Sequence, residues 1–147
     1  MKRNIFKFTM AIMLLCIMSV NGLAVYASAA SISPRYTNCA ECATNFYITS
    51  SGVAYTDITY SAYSGVFTQA NISVKIQKKT FLFFWSTVDI GTSDDIWRTT
   101  STDIFGDIVY TLQLSDTGTY RAVITVEFMG TTGVVDTIEE TIEAKYN

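Results

Sequence analysis

Hydrophobic and polar residues alternate over most of the chain from Ala43 onward, with the two-residue period of half-buried β-strands. In the clearest run, Ile72, Val74 and Ile76 alternate with polar residues. Turn residues separate such runs about every 8–12 residues, and the predicted strands cover 43–49, 53–63, 71–79, 85–90, 108–114, 120–128 and 134–144. About seven strands of this spacing predict an all-β fold, a single antiparallel β-sandwich. The polar stretch 92–103, interrupted by Ile96 and Trp97, is taken as a connecting segment.

The first 29 residues have a different pattern, which predicts a secretory signal peptide. Lys2, Arg3 and Lys7 precede an apolar run over 10–20, and the small residues at 27–30 follow. The run is shorter than the roughly 20 residues of a membrane span, so we expect a leader cleaved after Ala29 rather than an anchor. The predicted organisation is a signal peptide (1–29), an extended arm (30–42) and a sandwich domain (43–147) of a secreted, extracellular protein.

Composition narrows the chemistry available to the secreted part. The chain has no histidine, which excludes Ser-His-Asp and Cys-His triads and histidine-containing zinc sites. After removal of the leader, seven basic and thirteen acidic residues give a net charge of −6. An acidic domain with no cluster of basic residues larger than the Lys78-Lys79 pair is a poor candidate for binding nucleic acid or an anionic membrane. We therefore expect no enzymatic activity, no cofactor and no resident metal.

One short segment resembles the immunoglobulin-like domains. In the sequence Asp116-Thr117-Gly118-Thr119-Tyr120, the D-x-G-x-Y pattern matches the tyrosine corner of that family. The resemblance implies that Asp116, Gly118 and Tyr120 have a structural role, with the Tyr120 hydroxyl bonded back to the chain. Ala122 occupies the position of the family's second cysteine, so the inter-sheet disulfide is absent. Trp85, or less favourably Trp97, is expected to be the core tryptophan.

A second resemblance covers most of the chain after the leader. It rests on the segments SISPRY (31–36), SGVA (51–54), KIQKK (75–79), WSTV (85–88), GTYR (118–121) and the Glu-rich ending 139–143. These segments look like a group of small secreted proteins of Gram-positive Firmicutes to which no function is assigned. The resemblance implies an exported immunoglobulin-like sandwich and a bacterial source. It supplies no catalytic or binding residue.

Cys39 and Cys42 form a C-x-x-C motif in the predicted arm. A thioredoxin-like site would place this motif at the start of a helix after a strand, and a zinc site would need a second ligand pair; neither context is present. We expect a small-loop disulfide that stiffens the arm. A redox site, a metal site and intermolecular pairing remain alternatives.

The candidate binding surface is a cluster of apolar residues between two predicted strands. Phe81, Leu82, Phe83, Phe84 and Trp85 follow the pair Lys78-Lys79, and we call residues 81–85 the aromatic hairpin. Contiguous exposed aromatic residues mark a contact with a partner. A core strand running to Trp85 would instead bury alternate rings, and the sequence favours neither arrangement. Trp97 is included among the candidate binding residues.

Aspartate and glutamate side chains are the remaining candidates for metal binding or catalysis. The aspartates between 89 and 107 match no calcium-loop spacing and are ordinary loop residues, so calcium binding and glycosidase chemistry are the less favoured interpretations. Glu139, Glu140 and Glu143 are expected to keep an edge strand solvated, so that it does not pair with the sheet of another molecule.

The predicted function is therefore a non-catalytic binding module whose partner is a protein or glycan on a cell surface. A membrane-active or toxin-like effector using the same hairpin is the alternative, and membrane contact is the less favoured of the two. The sequence does not specify the oligomeric state.

Overall fold

The computed structural model describes residues 36–147, which form eight β-strands in two antiparallel sheets. The predicted signal peptide and the first residues of the predicted arm lie outside the described residues. The strands are β1 (Cys39–Ile48), β2 (Val53–Ala62), β3 (Phe67–Phe81), β4 (Phe84–Thr87), β5 (Trp97–Ser101), β6 (Phe105–Gln113), β7 (Gly118–Gly130) and β8 (Val135–Tyr146). Among these residues, no helix is long and apolar enough to span a membrane.

The strand order is that of an immunoglobulin-like sandwich. One sheet has the order β1-β2-β6, and the other has the order β4-β3-β7-β8, with β5 also paired to β3. The first, second and fifth strands of an immunoglobulin-like domain form one sheet, and its third, sixth and seventh form the other. Here β1, β2 and β6 correspond to the first set, and β3, β7 and β8 to the second. The predicted fold class is confirmed.

The core lies between the inner faces of β2, β3 and β7. On β3 the buried side chains are Ala70, Ile72, Val74 and Ile76, and they alternate with polar residues that point away from the core. On β7 the sequence alternates in the same way, and its buried positions are Tyr120, Ala122, Ile124, Val126 and Phe128. β-branched and aromatic residues fit this pleated, half-buried geometry. The face assignments made for these strands from alternation are confirmed.

The segment 97–101, taken above as part of a connection, is a strand. Trp97 pairs with Val74 in the β3–β5 ladder, and Thr99 pairs with Ile72. The ring of Trp97 therefore lies on the inner face of the sheet, where it packs against the core. The core tryptophan is Trp97, and the expectation that Trp85 would hold this position is wrong. Trp97 is the one large apolar residue of β5, which is why alternation did not reveal the strand.

The C-x-x-C motif belongs to the sandwich rather than to an arm. Strand β1 begins at Cys39, and its ladder with β2 runs from the Cys39–Ala62 pair to the Ile48–Ala54 pair. Within residues 36–147 both cysteines are free thiols. A register shift between Cys39 and Glu41 places Cys39 opposite Ala62 and Cys42 opposite Tyr60. The expected disulfide is not formed, and the Cys39 thiol instead donates to the backbone carbonyl of Glu41 at 3.2 Å.

A buried polar clasp holds the start of β1 against the turn between β7 and β8. The Asp136 carboxylate accepts hydrogen bonds from the backbone N–H groups of Asn38 (2.6 Å) and Cys39 (3.2 Å). The Asn38 side-chain amide donates to the carbonyls of Phe128 and Val134. Because Asn38 is fully buried and Asp136 nearly so, these bonds link the two sheets at one end of the sandwich.

Candidate functional site

The aromatic hairpin projects from the end of the sandwich opposite to this clasp. Strand β3 is paired with β7 only as far as Lys78, which lies opposite Tyr120, and it continues to Phe81. The three further residues extend the hairpin roughly 10 Å beyond the last β3–β7 pair. Strand β4 then returns along β3, from Phe84 opposite Phe81 to Thr87 opposite Gln77. We call this the hairpin end of the sandwich.

Four consecutive apolar side chains at the turn are open to solvent. The exposed fractions are 65% for Phe81, 62% for Leu82, 85% for Phe83 and 68% for Phe84. We call these four residues the apolar tip. The sequence left open whether the rings are buried or exposed, and in the structure they are exposed. Large apolar side chains that cluster in this way on a protein surface mark a contact site.

The turn that carries the apolar tip has an unfavourable backbone conformation. Its two loop residues are Leu82 and Phe83, and Leu82 has a positive φ of 37°. Two-residue hairpin turns normally place glycine, asparagine or aspartate at positions with positive φ, because a Cβ atom there is strained. The chain thus carries a large apolar side chain where turn geometry favours glycine. Strain of this kind is concentrated at functional sites.

Trp85 forms the base of the hairpin on the outer face of its sheet. It pairs with Lys79, and the ammonium group of Lys79 lies 5.7 Å from the centre of the indole ring. The guanidinium group of Arg121 lies 4.2 Å from the same ring, and its Nε donates to the Gln77 side chain at 2.8 Å. Trp85 is half-buried by these cations rather than by the core. It therefore separates the apolar tip from a charged surface.

Basic side chains are concentrated at the hairpin end, and two of them, Lys79 and Arg121, contact Trp85. Four of the six in residues 36–147 lie at the hairpin end, and we call them the cation cluster: Lys78, Lys79, Arg121 and Lys145. Lys78 forms a 3.2 Å ion pair with Asp116, and Glu143 lies opposite Arg121 in the β7–β8 ladder. Asp89 lines the groove beside Lys78 and Asp116, so four cations face three carboxylates and this end is locally positive, although the domain as a whole is acidic. The Lys78-Lys79 pair is visible in the sequence, whereas Arg121 and Lys145 come from other strands and join it only in the folded domain.

Trp97 does not share this surface. Its ring stacks on Tyr110 of the opposite sheet, with centroids 5.1 Å apart and planes 3° apart. Trp97 is half-buried and packs against the core. The structure therefore separates Trp97 from the other candidate binding residues and gives it a structural position.

The Asp116–Tyr120 segment forms the hydrogen bond of a tyrosine corner. The Tyr120 hydroxyl donates to the backbone carbonyl of Asp116 at 2.6 Å, and the Tyr120 ring is buried. Gly118 has a φ of 147°. The corner lies directly below the hairpin, because Tyr120 is paired with Lys78. A shallow groove of about 540 Å³ separates this corner from β4 and opens to solvent.

The thiols of Cys39 and Cys42 have low reactivity because both are largely protonated at neutral pH. Burial raises the pKa of the Cys39 thiol to about 11 and that of Cys42 to about 12, and the neighbouring thiol and Glu140 add to the second shift. The thiolate is the nucleophile and the metal ligand, so a raised pKa suppresses both reactivities. The environment of the C-x-x-C motif is thus the reverse of a redox site.

The acidic residues do not converge on a centre. Asp94 pairs with Arg98 at 2.7 Å, Asp89 accepts from the backbone of Gly91, and Asp95 accepts from that of Ile90. In the part of the chain that the structure describes, no three cysteine or acidic side chains are grouped to hold a metal ion. Glu139, Glu140 and Glu143 are exposed on the edge strand β8.

A second set of exposed apolar residues lies on the outer face of the β1-β2-β6 sheet. Tyr47 and Tyr55 stack with centroids 5.1 Å apart, and Phe105 on β6 is 71% exposed. Alternation in the sequence indicates the inward positions of these strands and gives no signal for the outward rings. Phe105 pairs with Ser61 near the end opposite to the hairpin, so it provides a matched control for the apolar tip.

No model of a protein family matches the chain, and no curated protein shows significant similarity to it.

Proposed function

We propose that this chain is a secreted, non-catalytic binding module of a Gram-positive bacterium that contacts a component of a cell surface through the aromatic hairpin. The observation that carries the proposal is the exposure of the apolar tip, where Phe83 is 85% accessible to solvent. Holding four apolar side chains in water is unfavourable, and a contact that buries them recovers that free energy. The strained turn at Leu82 supports the same conclusion, since a stability optimum would place glycine there.

Two features support a non-catalytic role. The chain has no histidine, and its two C-x-x-C thiols have raised pKa values. A nucleophile would need an adjacent base or a lowered pKa. The proposal therefore assigns the hairpin to recognition and assigns the rest of the sandwich to its support.

The test is binding of the fluorescently labelled protein without its predicted leader (residues 30–147) to intact bacterial and animal cells, measured by flow cytometry. The core is complete within residues 39–138, so this fragment retains it. We expect Phe83→Ser/Phe84→Ser to reduce cell binding by about tenfold or more, because each ring contributes on the order of tenfold when buried. Phe105→Ser should leave binding unchanged. Equal binding by wild type and the hairpin variant would contradict the proposal.

A further inference from the structure

We infer that the partner of the aromatic hairpin is an anionic lipid surface, with the apolar tip inserted among the lipids and the cation cluster at the level of the headgroups. This inference rests on the proposed function, since it names the partner of the same site. Its first support is the order of side chains along the hairpin. The apolar tip comes first, the indole of Trp85 next, and Lys79 and Arg121 lie against that indole. Apolar, amphipathic aromatic and cationic groups occur in this order from the hydrocarbon to the headgroups of a bilayer.

Charge complementarity selects an anionic surface. The cation cluster outnumbers the nearby carboxylates of Asp89, Asp116 and Glu143 by four to three. Acidic side chains in the far half of the sandwich are repelled by the same surface, and by strand position they are Glu41, Asp107, Glu127 and Asp136. The charge distribution therefore turns the hairpin towards an anionic membrane even though the net charge is negative. Basic residues near such a surface each strengthen binding, and salt screens the effect.

The shape of the hairpin fits insertion. A two-residue turn at the end of a strand pair is narrow, and its backbone N–H and C=O groups are partly satisfied within the hairpin, including the Phe81–Phe84 pair. The Thr80 hydroxyl also donates to the carbonyl of Phe84 at 3.3 Å. Groups paired in this way carry a smaller desolvation cost when they leave water. A shallow wedge of four apolar side chains gives reversible attachment at the surface rather than a membrane span.

The experiment is sedimentation of the 30–147 protein with sucrose-loaded vesicles of phosphatidylcholine alone or with phosphatidylglycerol. We expect binding to the mixed vesicles, weakened about tenfold or more by Phe83→Ser/Phe84→Ser and to a similar degree by Lys79→Gln/Lys145→Gln. Phe105→Ser should bind as wild type does, and raised salt should weaken the binding. As a readout of depth, the emission of a Phe83→Trp variant should shift to the blue and be quenched by brominated lipid.

Three results would overturn the inference: no binding to the mixed vesicles, equal binding to both vesicle types, or binding that the Phe83→Ser/Phe84→Ser change leaves intact. The proposed function fails separately. If hairpin-dependent cell binding persists while vesicles are not bound, or is abolished by protease treatment of the cells, the partner is a protein or glycan and the binding-module proposal stands. If neither cells nor vesicles distinguish the hairpin variant from wild type, both proposals fail.

Discussion

The ring of Trp97 on β5 lies almost parallel to the ring of Tyr110 on β6, with 5.1 Å between their centroids. These strands belong to different sheets, so the stacked pair closes one side of the sandwich. The hydroxyl groups of Thr99 and Tyr110 are also hydrogen bonded, which adds a polar link beside the rings. The two tryptophans of the chain thus have different roles, because Trp97 joins the sheets and Trp85 lies outside them.

This difference predicts opposite results for the two tryptophans. Trp97→Ala should lower the free energy of unfolding by about 2–3 kcal/mol, somewhat less than for a fully buried tryptophan, because it removes the stacking and leaves a cavity. Trp85→Ala should cost about 1 kcal/mol or less, since it removes mainly cation contacts at the surface. Urea titration followed by far-UV circular dichroism measures both values. A larger loss for Trp85→Ala than for Trp97→Ala would contradict the assignment of Trp97 to the core.

Tyr120→Phe tests the tyrosine corner. The change keeps the buried ring and removes the hydroxyl that donates to the Asp116 carbonyl. We expect the free energy of unfolding to fall by about 1 kcal/mol, the usual contribution of one hydrogen bond. Tyr47→Phe, at a ring that is 41% exposed, is the matched control and should have an effect of less than about 0.5 kcal/mol. Identical curves for the two variants would show that the corner adds nothing to stability.

The clasp at Asp136 predicts a larger effect. Asp136→Ala leaves the backbone N–H groups of Asn38 and Cys39 buried without their acceptor, which should cost about 2–4 kcal/mol. Asp136→Asn keeps an acceptor oxygen and should cost less. Hydrogen exchange of the two amides provides a local measurement, and both should exchange faster in the alanine variant. Unchanged exchange rates would mean that the carboxylate does not protect them.

Thiol chemistry gives a prediction with a defined pH dependence. In the 30–147 protein, which retains only Cys39 and Cys42, iodoacetamide at pH 8 should label the folded state slowly and label both thiols rapidly in urea. Because both pKa values are raised in the folded state, their contribution to stability is fully present below about pH 8. It is lost as the pH rises through about 9 towards 12, where the thiols of the unfolded chain ionise first. Cys39→Ala/Cys42→Ala should show a smaller loss over this range.

Mass spectrometry of the unlabelled protein provides the decisive control for the thiols. Free thiols predict two alkylations after denaturation without reductant. A protein that is two mass units lighter and takes up no label would show that the cysteines are joined, and would contradict the structure.

Leu82→Gly separates the stability of the hairpin from its proposed contact. Glycine removes the strain at a φ of 37° but adds entropy to the unfolded chain, so the free energy of unfolding should stay the same or rise by up to about 1 kcal/mol. Phe83→Gly, at a position without positive φ, should instead lower it. Both changes shorten the apolar tip and should weaken binding. A loss of stability in Leu82→Gly would show that the turn is not strained.

Alternation along the chain was sufficient to predict the sandwich because its central strands bury every second residue. Alternation did not predict β5, because Trp97 is the one apolar residue of this strand and the four residues after it are polar. The position of Trp85 could not be predicted either, since its face depends on a two-residue turn that no glycine or asparagine marks in the sequence. The apolar tip is exposed because β3 continues three residues beyond its last pair with β7. The relative extent of two paired strands cannot be predicted from the pattern of either strand alone. The cation cluster likewise forms only when three strands pair.

The clasp at Asn38 and the aromatic hairpin lie at opposite ends of the domain. The register of β7 with β8 places Tyr146 opposite Gly118, so strand β8 ends beside the hairpin, whereas Asn38 lies at the far end of the sandwich. A bulky fusion partner joined upstream of residue 36 would therefore stand away from the aromatic hairpin. The same partner joined after Asn147 would crowd it. Immobilisation through the N-terminal side presents the hairpin outward, and immobilisation through the C-terminal side should hide it, which sets the layout of any array or biosensor experiment with this domain.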